Sequence, residues 1–200
     1  MGTAFDRDAL LDAFDRIGRA AAQAGTKLQI AVYGGSALML ASNFRFATED
    51  IVSKLEHPLP DWLALVVHEI AQENHWREDW FNDGVSFHLS SLADRAADHL
   101  EFGTFPRDAT SAGLVVSVPS AEYLLALKLK AFRVLDPLRG ETEQLDILNL
   151  MQVVGISTVE DAIDLLGRYF PMSAASAEKQ RFLLENISRE GVADAPKYPR

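Results

Sequence analysis

The chain of 200 residues contains no cysteine. That excludes a disulfide framework and any thiolate metal site. No apolar run approaches the length of a membrane span, so no membrane partner is expected. Basic residues are scarce: 19 Lys and Arg stand against 29 Asp and Glu, a formal charge of −10. Non-specific nucleic-acid binding needs a basic surface, so broad DNA binding is not expected either. The only dense basic cluster is Lys128, Lys130, Arg133 and Arg139, which leaves room for a local basic patch. The opening residues, MGTAFDRDALL, are acidic and amphipathic and do not read as a signal peptide. There is no internal repeat and no low-complexity block. Together these absences lead us to expect a cytoplasmic protein. The acidic charge suits a basic partner, or it simply keeps the chain soluble.

What is present is ordinary for a globular protein, 48% hydrophobic and 24% charged, in a length that fits one domain, or one domain with a small helical appendage. Asp6 to Ala24 reads as a helix capped by Asp6, with Leu10, Leu11, Phe14, Ile17 and Ala21 on one face and Gly25 at its end. Leu28 to Tyr33 is nearly continuous in apolar residues, as for a strand covered on both sides. Gly34-Gly35-Ser36 then turns into a short helix through Ala41, and Thr48 to Leu55 is a second strand with an acid, Asp50, near its start. Asp61 is expected to cap a helix to about Glu73, with Leu63, Val66, Val67 and Ile70 inward. His68 and His75 are too isolated for a metal site. Trp80-Phe81-Asn82-Asp83 reads as a capped turn with Trp80 as a core plug, or as a wall of a substrate cleft.

Residues 92 to 99 read as a weak helix or loop, and Leu100 to Phe105 and Leu114 to Val118 as strands. The remainder is helical: Ala121 to Leu135, Glu143 to Val154, a helix capped by Ser157 or Thr158 that runs to about Tyr169, and Ser176 to Arg189. Strands concentrate before residue 119 and helices after it. The expected class is α/β (α+β): a small mixed sheet with flanking helices over 1–118, a helical part over 119–190 and a frayed tail over 191–200.

The central stretch, IAVYGGSALMLASNFRFATEDIV, carries the chemistry. Two adjacent glycines let backbone N–H groups approach a ligand, and a helix N-terminus favours an anion. A carboxylate on the neighbouring strand can hold a metal beside that anion. In its glycine turn followed by an acidic strand, the stretch resembles the nucleotidyltransferase superfamily. Over most of its length the chain is similar to AbiEii/AbiGii-type bacterial toxin nucleotidyltransferases and their uncharacterised relatives. Glu122, Lys128 and Arg133 match that group's lysine-bearing helix, and Asp146-Ile147-Leu148-Asn149-Leu150 matches its later aspartate run.

The resemblance implies transfer of NMP from an NTP to a hydroxyl on protein or tRNA, with Mg2+ as cofactor and a cognate antitoxin or toxin as partner. It implies that Gly34, Gly35, Ser36, Arg45 and Arg133 bind nucleotide, that Asp50, Lys128 and Asp146 are catalytic, and that Asp50 holds the metal. Each has a plainer reading: Arg45 can cap its turn, and Lys128–Asp146 can be an interhelical ion pair. One departure is plain. The family's second acid belongs at position 52, where this chain has Val52. On a strand, 50 and 52 share a side, Glu49 points to the other, and Glu56 lies roughly 13 Å from Val52 at about 3.3 Å per residue. Glu101, the only acid inside the later candidate strands, is the nominee to compensate, or else an edge residue facing solvent. The competing expectation is a catalytically impaired member that binds a nucleotide or a partner.

Overall fold

A computed structural model describes residues 4–43, 45, 47–48, 51–55, 60–109, 111–131, 140–187 and 197–198. The chain separates into two units. The first comprises Met1–Ala41, Arg45–Phe87 and His99–Pro119, and the second Ser42–Phe44, His88–Asp98 and Ser120–Arg200.

The first unit is built on a mixed sheet. Its strands are β2 (Leu28–Tyr33), β4 (Ile51–Leu55), β5 (Phe81–Asn82), β6 (His99–Phe105) and β7 (Leu114–Pro119), in the order β5-β4-β2-β7-β6. β2 runs parallel to β7 and antiparallel to β4. A separate two-stranded piece pairs β1 (Phe5–Asp6) with β3 (Ala47–Thr48). The second strand expected from the sequence is thus divided into β3 and β4, and its acidic pair Glu49-Asp50 lies outside the described residues.

Burial alternates along the sheet. Ile30, Val32, Leu114, Val116 and Val118 are buried, whereas Gln29 is exposed and Ala31, Val115 and Ser117 are half-buried. The strand read as covered on both sides therefore has one dry face and one less evenly covered, where Tyr33 is buried but Gln29 is exposed. Helix α1 (Arg7–Gln23) packs on β6, β7 and α3 (Asp61–Asn74). Asp6 caps α1 by accepting from Ala9 N–H at 2.9 Å. Asp61 does not cap α3: the cap position is Pro60 and no side chain bonds there, so Asp61 serves as a first-turn acid that suits the helix dipole.

The approach of α1 to the sheet is unusually close. A Cβ placed at Gly18 would stand 2.5 Å from the Phe105 carbonyl carbon and oxygen and 2.7 Å from Pro106 N. A Cβ at Gly113 would overlap the Gly18 carbonyl oxygen. Trp80 is fully buried, donates Nε1–H to the Val67 carbonyl at 3.0 Å, and packs with Phe5 and Trp76. That is the core plug, and the next two residues add β5, a strand too short to leave a periodic signature.

The second unit holds α4 (Ala121–Ala131), α5 (Gly140–Val154), α6 (Val159–Tyr169), α7 (Pro171–Ala174) and α8 (Glu178–Ile187). Thr158 is the cap of α6, accepting from Asp161 N–H at 3.1 Å. Pro171 ends α6 and opens α7. Residues 88–98 form turns that belong to this unit and are tied to its helices. Ser90 N–H donates to the Tyr123 hydroxyl at 3.0 Å, the Ser90 hydroxyl to the Tyr169 carbonyl at 2.6 Å, and the Tyr169 hydroxyl to Asp98 at 2.6 Å. Within the tail expected to fray, Tyr198 is buried and Lys197 N–H donates to Asn43 Oδ1 at 2.6 Å. Among the described residues no helix is long and apolar enough to cross a membrane.

Candidate functional site

The glycine turn sits at the C-terminal end of β2. Gly34 has φ +66°, a conformation that an L side chain resists, and it opens α2 (Gly34–Ala41). A Cβ there would meet nothing within 4 Å, so the glycine is required by backbone angle and not by a neighbour. Gly35 is half-buried and Ser36 is buried. Arg45 is half-buried in the connector after α2.

β4 lies beside β2, with position 52 opposite Tyr33 and therefore one residue from the glycine turn. The antiparallel register brings the start of β4 to the end of β2 where the turn opens. Asp50 itself lies outside the described residues.

Glu101 is exposed on β6 and pairs with Ser117 on β7. β7 and β2 stand between β6 and β4, so at roughly 4.8 Å per strand Glu101 is about 14 Å from β4. Two carboxylates that share one metal must converge within a few ångströms, so Glu101 does not complete a metal site at the start of β4. Among the described residues no group of three or more His, Asp or Glu is placed to hold a metal ion. The described donors do not by themselves make a magnesium site, and the metal expectation rests on Asp50.

Lys128 and Asp146 do meet, in the second unit. Lys128 Nζ donates to Asp146 Oδ2 at 2.7 Å, with 15% and 3% of their side chains exposed. Asn149, one turn along α5, is also buried. A buried pair of this kind resists loss of either member, because the survivor is a desolvated charge. Lys130 is engaged too: its Nζ donates to the His88 carbonyl at 2.9 Å and lies 4.2 Å from the centre of the Phe170 ring. The two lysines of the basic cluster are thus spent on internal contacts, and Arg133 and Arg139 lie outside the described residues.

Other polar constellations had no signature in the motifs. The Tyr33 hydroxyl and His99 Nε2 are 2.8 Å apart on the less evenly covered side of the sheet. Asp15 is buried on α1 and accepts from Arg107 N–H at 2.6 Å and from Arg107 Nε at 2.8 Å. Hydrogen bonding to Asp15 raises the Arg107 pKa, and Asp12 adds to this. One signal was legible: Asp15 stands on the same helical stripe as Leu11 and Gly18, and an acid on a buried stripe needs a partner. Burial is the main cause that raises the pKa of Tyr169, and the bond to Asp98 adds to it.

No protein-family model matches the chain, and no curated protein or solved structure shows significant similarity to it.

Proposed function

We propose that the chain is a nucleotidyltransferase-like protein that receives an NTP on the Gly34-Gly35-Ser36 turn and transfers NMP to a protein or RNA hydroxyl. The observation that carries this reading is the register of β2 and β4. It puts a positive-φ glycine turn and the start of the strand that follows Asp50 at one end of the sheet. Backbone N–H groups at the start of α2 suit phosphate oxygens. In the transfer, the acceptor hydroxyl gives its proton to water, its oxygen bonds to the α-phosphorus, the bond to the β-phosphate breaks, and pyrophosphate leaves. The chain contributes positioning and fixed dipoles. Asp50 is the magnesium ligand in this reading, and magnesium would supply charge neutralisation on the phosphates. We assign Lys128 and Asp146 to holding α4 on α5, because their charges satisfy each other there. A toxin–antitoxin or defence role follows from the resemblance alone.

A second reading is favoured by Val52 and by the distance of Glu101 from β4. In it the turn still binds a nucleotide, catalysis is impaired, and the protein acts through a partner. Equilibrium dialysis with labelled ATP and GTP tests the premise shared by both. Magnesium-dependent binding that weakens in Gly34→Val supports them. Absence of binding to any NTP defeats both.

A further inference from the structure

Residues 42–44 follow α2 directly and precede the strand that follows Asp50, yet they group with the second unit. Within that unit they are met by a segment far along the chain. Lys197 N–H donates to Asn43 Oδ1 at 2.6 Å, across 154 positions. The neighbouring Tyr198 is only 9% exposed, and burial raises the pKa of its hydroxyl. A buried aromatic ring anchors, while the backbone bond to the Asn43 carboxamide sets register. Asn43 is exposed, so this contact is open to competition from solvent.

We infer that Lys197-Tyr198 is a strap that fixes the connector between the glycine-turn helix α2 and β3, and that its release loosens that connector. The strap does not depend on what the turn binds. Its effect on nucleotide affinity rests on the function proposed above.

Hydrogen exchange of the full chain decides it. Three variants release the strap in different ways: Tyr198→Ala removes the anchor, Lys197→Pro removes the donor, and Asn43→Leu removes the acceptor. Tyr198→Phe keeps the ring, and Asn43→Asp keeps an acceptor. The amides of Ser42, Asn43 and Arg45 are expected to exchange roughly tenfold faster in the three releasing variants, with β2 and β7 unchanged. Asn43→Asp is expected to match the wild type, and Tyr198→Phe to stay closer to it than Tyr198→Ala does. Wild-type exchange in the connector of both Lys197→Pro and Asn43→Leu overturns the inference, whatever Tyr198→Ala does to folding. Equilibrium dialysis of each of the four labelled NTPs with magnesium on the same variants separates the two claims. If the wild type binds no NTP, the functional reading falls while the exchange result still judges the strap.

Discussion

Gly18 is a position where two physical rules give opposite signs. It lies inside α1, where helix propensity alone favours alanine by up to about 1 kcal/mol. Packing says the reverse. The new Cβ would stand 2.5 Å from the Phe105 carbonyl, and ordinary contact begins at 3.4 Å, so α1 must retreat by about 0.9 Å. The obstruction is backbone and cannot rotate away. The same helix carries Leu10, Phe14 and Ile17, all essentially inaccessible to solvent, and a retreat opens gaps around each. Overpacking of this kind costs about 3 kcal/mol, which leaves roughly 2 kcal/mol of net destabilisation. For a chain of this length that lowers Tm by about 4–8 °C. Gly25→Ala is the control: φ is +66° with nothing within 4 Å, so only backbone strain of about 1 kcal/mol applies. Urea and thermal unfolding of both variants beside the wild type measure the difference. Gly18→Ala as stable as the wild type, or less costly than Gly25→Ala, refutes the reasoning.

Asp146→Ala is expected to cost about 3 kcal/mol in urea unfolding, since Lys128 is left buried without its counter-charge, whereas Lys128→Met with Asp146→Leu should stay within about 1 kcal/mol of the wild type. A double variant as unstable as the single one would show that the pair does more than balance itself. Tyr123, Tyr169 and Tyr198 all have raised pKa values, chiefly through burial. Folding therefore disfavours the tyrosinate, so their contribution is complete below about pH 10 and is lost as pH rises beyond it. The urea midpoint should fall between about pH 10 and pH 12, less steeply in Tyr169→Phe, and an identical slope in that variant would contradict the assignment.

The sequence made some elements plain and hid others. β2, β7 and α1 were legible because hydrophobic pattern, glycine punctuation and an Asp cap agree there. The glycine turn was legible for the same reason, since Gly34 needs positive φ where a strand becomes a helix. β1 and β5 were not, because two residues have no period. The place of residues 88–98 was hidden as well. It depends on the hydrogen bonds that Ser90 donates to Tyr123 and that Asp98 accepts from Tyr169, both distant in sequence, and local pattern does not encode those. The less evenly covered face of the sheet was misread because Ala31 looks apolar whether or not anything covers it. Of the candidate site, the glycine turn and the Lys128–Asp146 pair were legible, and the distances between residues were not. Glu101 has the right chemistry, but strand order places it too far from β4, and strand order follows from pairing along the whole chain.

The most direct test of the central claim is transfer of label from an α-labelled NTP, with magnesium, to bulk tRNA or to a protein extract. Wild type, Asp50→Ala and Val52→Asp run side by side. The account predicts that the wild type labels an acceptor and that Asp50→Ala does not. A silent wild type with an active Val52→Asp would favour the impaired, partner-binding reading. Silence from both the wild type and Val52→Asp would contradict the nucleotidyltransferase account.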